Sequence, residues 1–261
     1  MNKFVISSVS ITRTQTEDIE SFTQRILTEL NKVPSESLLV VLPEYCWGNS
    51  SLSEVNNSIL QIRNEYKMNF IFGTFAFDNG FGNITNNAII AFHDKKITYS
   101  AKTVPMMGEQ MRQQVKAGNN IGVVDLNKLK IGILICADLW NWKLVHRLVV
   151  EEGAQMLIIP AFTVVPRGLH QYAKYQWLSL AITRSREFVV PILISDHLEG
   201  TQEYDVGGVS CIIDPSFKDS SISSIEDFVN VSTNKSVSFE INLKPILEYR
   251  NYRKENGLLQ K

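Results

Sequence analysis

The most constraining feature of this chain is an uninterrupted apolar run, Ile131-Gly132-Ile133-Leu134-Ile135, which ends on Cys136 and continues at once into Ala137-Asp138-Leu139-Trp140. A run of this kind reads as a strand buried on both faces, so a single sheet open to water cannot hold it. Beyond Asp138, Leu144, Val145, Leu148 and Val149 recur at helical spacing, and Gly153 is placed to stop the helix. Two readings of Cys136 follow from this stretch alone. A thiol at a strand-to-helix junction, near backbone N–H groups and the positive end of a helix dipole, is biased towards the reactive thiolate. A free cysteine is equally at home as a small buried apolar residue.

The rest of the chain repeats the alternation. Residues 4–11, 38–42 and 70–77 read as strands. Between them lie two helical faces, Ile19, Phe22, Ile26 and Leu30, then Leu52, Val55, Ile59, Ile62 and Tyr66. Residues 88–92 and 97–100 flank Asp94-Lys95-Lys96 as a hairpin, and residues 126–129 link two further strands, the second delivering Cys136. The second half carries strands at 156–159, 189–195, 209–213 and 237–241, a long helix at 169–187 and a Ser-rich surface loop at 216–224. Residues 243–261 read as a polar tail with little core-forming power, available for contact with a second copy. No repeat or linker divides residues 1–261, so one domain of α/β layering is expected, with helices covering sheet surfaces.

Composition removes several function classes. A net charge of -1 over 261 residues gives no reason to expect a nucleic-acid or anionic-membrane partner. Phe4-Val5-Ile6 is too short for a signal-peptide core, and no apolar run reaches membrane-spanning length. Cys46, Cys136 and Cys211 form no CxxC pair, and His93, His146, His170 and His197 form no metal-spaced cluster. A cytoplasmic enzyme or binding protein without a metal is the expectation.

Three strand ends carry reactive side chains: Glu44, Lys102 and Cys136. Strand ends are where open α/β sheets gather their sites. A cysteine nucleophile needs a base that takes its proton and returns it to a leaving group, and a carboxylate does both. A nearby lysine supplies positive charge for the thiolate and for the oxyanion that forms at an attacked carbonyl.

The context of these residues resembles the carbon-nitrogen hydrolase (nitrilase) superfamily over most of the chain. Leu42-Pro43-Glu44 resembles the first signature of that family. Tyr99-Ser100-Ala101-Lys102-Thr103-Val104-Pro105 with Gly108-Glu109 resembles the second, and Ile135-Cys136-Ala137-Asp138 the third. Asn86-Asn87-Ala88, Trp177 through Arg184 to Glu187, and Gly208-Val209-Ser210 with Ile213-Asp214-Pro215 are similar to further landmarks in the same order. The resemblance implies a four-layer α-β-β-α sandwich that hydrolyses amides or nitriles without metal or organic cofactor, commonly as a homodimer or larger homo-oligomer. It implies Glu44 as general base, Cys136 as nucleophile, Lys102 and the Ala137 N–H as oxyanion donors, and Glu109 as the group that orients Lys102.

Trp140, Phe162, Thr163 and Tyr45, placed after strand ends or after the nucleophile, are candidates for the acyl pocket. Core packing is the competing reading for such aromatics. The substrate expected is a small amide or N-carbamoyl compound, with Cys136-Ala137-Asp138-Leu139-Trp140 most similar to the glutamine-hydrolysing domains of NAD synthetases. Nitrile hydrolysis and acyl transfer at the same site are alternatives, and a non-catalytic scaffold or binding protein of the same fold is the alternative from another class.

Overall fold

The computed structural model describes residues 3–14, 16–78, 82–94, 96–126, 129–216, 229–232 and 234–259. Its strands in chain order are β1 (Lys3–Val9), β2 (Ser37–Val41), β3 (Asn69–Asp78), β4 (Ile84–Ala91), β5 (Ile97–Ala101), β6 (Gly122–Leu126), β7 (Leu129–Ile133), β8 (Met156–Pro160), β9 (Val164–Pro166), β10 (Ile192–Ser195), β11 (Tyr204–Val206), β12 (Cys211–Ile213), β13 (Val229–Val231) and β14 (Ser236–Asn242). The α-helices are α1 (Ile19–Leu30), α2 (Leu52–Glu65), α3 (Met107–Gln113), α4 (Trp142–His146), α5 (His170–Phe188) and α6 (Leu243–Glu255).

Two six-stranded sheets form, in the orders β14-β1-β2-β3-β4-β5 and β13-β12-β10-β8-β7-β6. Side-chain alternation explains why both sheets are covered on both faces. In β2, Leu39 and Val41 join the core that holds the second sheet, whereas Val40 and the following Leu42 join the one beneath α1 and α2. Ile71 and Ile90 face the first core, while Phe70, Phe72 and Ile89 face the second. On the second sheet Gly132 admits α4 and its continuation closely, since a Cβ there would meet Leu157 at 2.8 Å and Leu148 at 3.1 Å. The result is a four-layer α-β-β-α sandwich.

The outer helices start where local chemistry sets them. Asp18 caps α1 by accepting from the Ser21 N–H at 2.7 Å. Ser51 and Glu54 form a reciprocal capping box at the start of α2.

Three expectations need correction. Residues 243–261 are not a plain polar tail: α6 buries Leu243 and Ile246, and Arg250 donates to the carbonyls of Val189 (2.9 Å), Ala154 (3.0 Å) and Gln155 (3.4 Å). A polar helix thus docks by satisfying carbonyl groups of the second sheet's connections. The segment after Cys136 is not one amphipathic helix either. It runs as a 3-10 turn at Cys136–Trp140, then α4, then a π-helical turn at Arg147–Glu151. The strand expected from residue 189 begins only at Ile192, because Val189 takes a left-handed φ of 48° that ends α5. Lys95 of the hairpin turn and most of the Ser-rich loop lie outside the described residues.

Candidate active site

The first sheet runs β1, β2 and β3 parallel, and β5 regains their direction through antiparallel β4. In the second sheet β7, β8 and β10 are parallel. Each candidate lies just beyond the carboxyl end of one of these strands: Glu44 after β2, Lys102 after β5, Cys136 after β7 and Phe162 after β8. Hydrogen bonds join the two sheets at this end. The Glu44 N–H donates to the Ala161 carbonyl at 3.2 Å, and Ser195 Oγ donates to the Val41 carbonyl at 3.0 Å.

Lys102 is the centre of the cluster. Its ammonium is 1% exposed and donates to Glu44 Oε1 at 2.7 Å and Glu109 Oε2 at 2.6 Å. An ammonium has three N–H donors, so one remains for a further acceptor. Burial opposes the charge on Lys102, but the charges of Glu44, Cys136 and Glu109 outweigh it and hold the group above the ordinary lysine value. Glu44 is buried, and desolvation raises its carboxyl to about 7 against the pull of Lys102. Oε1 of Glu44 accepts from Lys102 and from Asn86 Nδ2 at 2.9 Å; among the described residues neither bond goes to Oε2.

Glu109 is the third position of α3 and reaches back to the Met106 N–H at 2.6 Å. Its oxygens also accept from Tyr45 Oη at 2.7 Å and Asn86 Nδ2 at 3.2 Å, making four donors with Lys102. Four donors occupy the oxygens of this carboxylate and fix its position beside Lys102.

Cys136 has φ 47°, the left-handed region that a side chain adopts only when its surroundings hold it there. Its thiol lies 3.7 Å from the Phe162 carbonyl and close enough to Glu44 for each to act on the other's titration. The thiolate bias expected at a strand-to-helix junction is corrected. Burial and the Glu44 charge hold the thiol well above its usual value, and a five-residue 3-10 turn supplies too little dipole to offset them. The thiol must therefore hand its proton to a partner. Ala137 follows in the first turn, where an N–H has no carbonyl of its own helix to reach.

The turn is anchored by Asp138. Its Oδ1 accepts from the Thr103 N–H (2.9 Å), the Thr103 hydroxyl (3.0 Å) and the Val104 N–H (2.7 Å), and its Oδ2 from the Ile135 N–H (3.1 Å). Gly73 makes room for the Glu44 turn. It has φ 62°, and a Cβ there would sit 2.1 Å from the Pro43 carbonyl oxygen.

The expected pocket residues divide. Tyr45, at φ 55°, commits its hydroxyl to Glu109. Phe162 stands beside the thiol through its carbonyl and packs its ring on His197 at 4.7 Å and Tyr204 at 5.4 Å. Trp140 is 44% exposed and meets Trp177 edge-on at 5.9 Å. Thr163 is buried, and its hydroxyl donates to Asp196 Oδ2 at 2.6 Å while accepting from the Gly207 N–H at 2.6 Å.

Sequence reasoning passes over Asn86, Asp138, Asp196 and His197 as working residues. The last two follow the apolar strand β10 directly, so the strand-end rule that finds Glu44 also points to them. His197 donates from Nε2 to the Glu44 carbonyl at 2.5 Å and pairs through Nδ1 with the Thr12 hydroxyl at 2.8 Å. Burial lowers its pKa to about 4, so it is a neutral brace. Among the described residues no group of three or more His, Cys, Asp or Glu is placed to hold a metal ion, and no helix is long and apolar enough to cross a membrane.

Residues 8–222 match the family described as Carbon-nitrogen hydrolase. No curated protein matches the chain. Among solved structures, Saccharomyces cerevisiae Nit3, a member of branch 10 of the nitrilase superfamily, is similar at TM-score 0.75 and 19% identity, covering 96% of this chain and 94% of that one. A carbon-nitrogen hydrolase from Helicobacter pylori G27 is similar at TM-score 0.78 and 14% identity, covering 98% and 94%. A mutant of the amidase from Nesterenkonia sp. AN1 in complex with butyramide is similar at TM-score 0.71 and 12% identity, covering 97% and 96%.

Proposed function

The chain belongs to the carbon-nitrogen hydrolase family, and from that premise we propose that it is a thiol-dependent amidohydrolase acting on a small amide or N-carbamoyl compound. The observation that carries this reading is the cluster of Cys136, Lys102 and Glu44, buried at the strand ends, with the part-buried carboxylate of Glu109 from α3 on the same ammonium. A scaffold has no use for such a cluster, since buried charges are costly unless paired.

The steps follow from which atoms are occupied. The Cys136 thiol gives its proton to Glu44 as its sulfur attacks the carbonyl carbon. The oxyanion is held by the remaining Lys102 N–H and the Ala137 N–H. The C–N bond breaks as Glu44 returns the proton to the leaving nitrogen, so ammonia or an amine departs and a thioester stays on Cys136. Water then gives a proton to Glu44 and attacks the thioester. Collapse releases the carboxylic acid and restores the thiol. Side chains, the Ala137 N–H and water supply every step, so no metal or organic cofactor takes part in this proposal.

The butyramide held by the Nesterenkonia amidase supports small primary amides as the first class to test. Phe162 and Trp140 supply apolar surface beside the thiol in this reading. Self-association as a homodimer or larger homo-oligomer is supported by the exposed Trp142, Tyr172 and Tyr175, and light scattering checks it.

The test is ammonia release from a panel of small amides, ureido acids and nitriles, with intact-mass detection of an acyl adduct, for the native chain and Cys136→Ala. Turnover and an adduct that vanish together in the variant are the expected result. No turnover and no adduct across the panel, with Cys136 also inert to a thiol-reactive probe, would sink the enzymatic reading.

A further inference from the structure

Asn86 lies near the start of β4, beside the end of β5, where its carbonyl accepts the Lys102 N–H at 2.8 Å. Its side chain is fully buried. Both carboxylates of the cluster take a hydrogen bond from its single amide nitrogen: Glu44 Oε1 at 2.9 Å and Glu109 Oε1 at 3.2 Å. Two carboxylates can only accept, so the nitrogen must face them, and the Oδ1 of the same amide is left buried without a hydrogen-bond partner. A buried unsatisfied acceptor carries a penalty. Its presence in the cluster shows that the side chain is set by its donor end.

We propose that Asn86 is a positioning residue that determines which oxygen of Glu44 carries the proton. Oε1 of Glu44 already receives Lys102, and Asn86 supplies its second donor. With both acceptor positions of Oε1 filled, the proton leaving Cys136 can settle only on Oε2: the S–H bond breaks and an Oε2–H bond forms. Asn86 also holds Glu44 and Glu109 against the same ammonium, so neither carboxylate swings away as charge moves during the reaction. This inference rests on Glu44 serving as base to Cys136.

Glu44 and Glu109 face this position directly; Lys102, Cys136 and Tyr45 meet those carboxylates in turn, with His197 on the backbone of Glu44. Removing the amide donor removes a bond to the ionised form of each carboxylate. Glu44 then holds its proton to higher pH.

The experiment is the pH dependence of Cys136 alkylation by iodoacetamide, which needs no knowledge of the substrate. Asn86→Leu keeps the branched shape without the donor. Its alkylation midpoint should move up by about one pH unit, the scale of one charge-assisted hydrogen bond. Asn86→Asp keeps the shape and adds a third carboxylate, and its midpoint should move further up. If the Leu variant does not fold, the Asp variant decides alone. A midpoint unchanged in whichever variant folds overturns the proposal. Failure of the substrate panel with a shifted midpoint would count against the amidohydrolase reading and leave the role of Asn86 standing.

Discussion

Asp138 accepts both the backbone N–H and the hydroxyl of Thr103, at 2.9 and 3.0 Å, and so ties the turn that carries the nucleophile to the residue next to Lys102. The two belong to different sheets, Thr103 following β5 and Asp138 following β7. A carboxylate in this place sets the distance between the ammonium and the sulfur without touching either. Asp138→Ala leaves four donors without their acceptor. It is expected to lower the unfolding free energy by about 2–4 kcal/mol and kcat by more than tenfold. Thermal unfolding beside steady-state kinetics checks this, and a variant of native stability and native kcat would contradict the clamp.

Glu109 is saturated by four donors, so its part in the site is charge and position rather than proton transfer. Glu109→Gln turns one acceptor oxygen into an NH2 that must face N–H or O–H groups. The expected result is a fall in kcat of about 100-fold with a smaller change in KM, because the lost interaction orients Lys102 towards developing charge. Native kcat in this variant would reassign Glu109 to the scaffold.

Much of this site is legible in the sequence because Glu44, Lys102 and Cys136 each follow an apolar strand, and parallel strands carry such residues to one end of the sandwich. Asn86 escapes that rule because it sits at the beginning of an antiparallel strand, yet pairing with β5 brings it to the same end. The thiol's protonation state is not legible, because the sequence shows the neighbouring backbone but not the depth of burial, and desolvation is the larger effect. The role of α6 is hidden because a helix that docks through Arg250 and Arg253 onto carbonyl groups looks, in composition, like a solvated tail. Thr163 shows the reverse: its position is right for substrate, but Asp196 claims its hydroxyl.

The raised carboxyl of Glu44 fixes the sign of the pH dependence. Glu44 accepts a proton only when ionised, and burial lifts its pKa to about 7. Turnover should therefore fall as the solution is acidified through neutral pH, not through the range of an ordinary carboxylate near ~4. Because Glu44, Cys136 and Lys102 act on one another's titration, the midpoint belongs to the cluster. The measurement is kcat/KM from about pH 5 to about pH 9 on the best substrate of the panel. An acidic limb below about pH 5 would show that Glu44 is not the base, or is ionised by a different arrangement.

His197 offers a stability test independent of chemistry. Burial holds the folded imidazole neutral, with a pKa of about 4 against about 6.5 in an unfolded chain. Between these values the unfolded state binds a proton that the folded state refuses, so His197 makes the fold less stable as pH falls from about 6.5 to about 4. Asp196 acts oppositely, since its folded carboxyl is raised to about 6 by burial and takes up a proton in part of the same range. Comparing His197→Gln with the native chain isolates the imidazole, because Asp196 is common to both. The variant loses the bonds to Thr12 and the Glu44 carbonyl as the imidazole had them and should unfold at a lower temperature at about pH 7. Its deficit should shrink steadily down to about pH 5, because only the native chain carries the acid penalty. A deficit constant across that range would mean that the folded imidazole takes up its proton as the unfolded one does, so that burial does not hold it neutral.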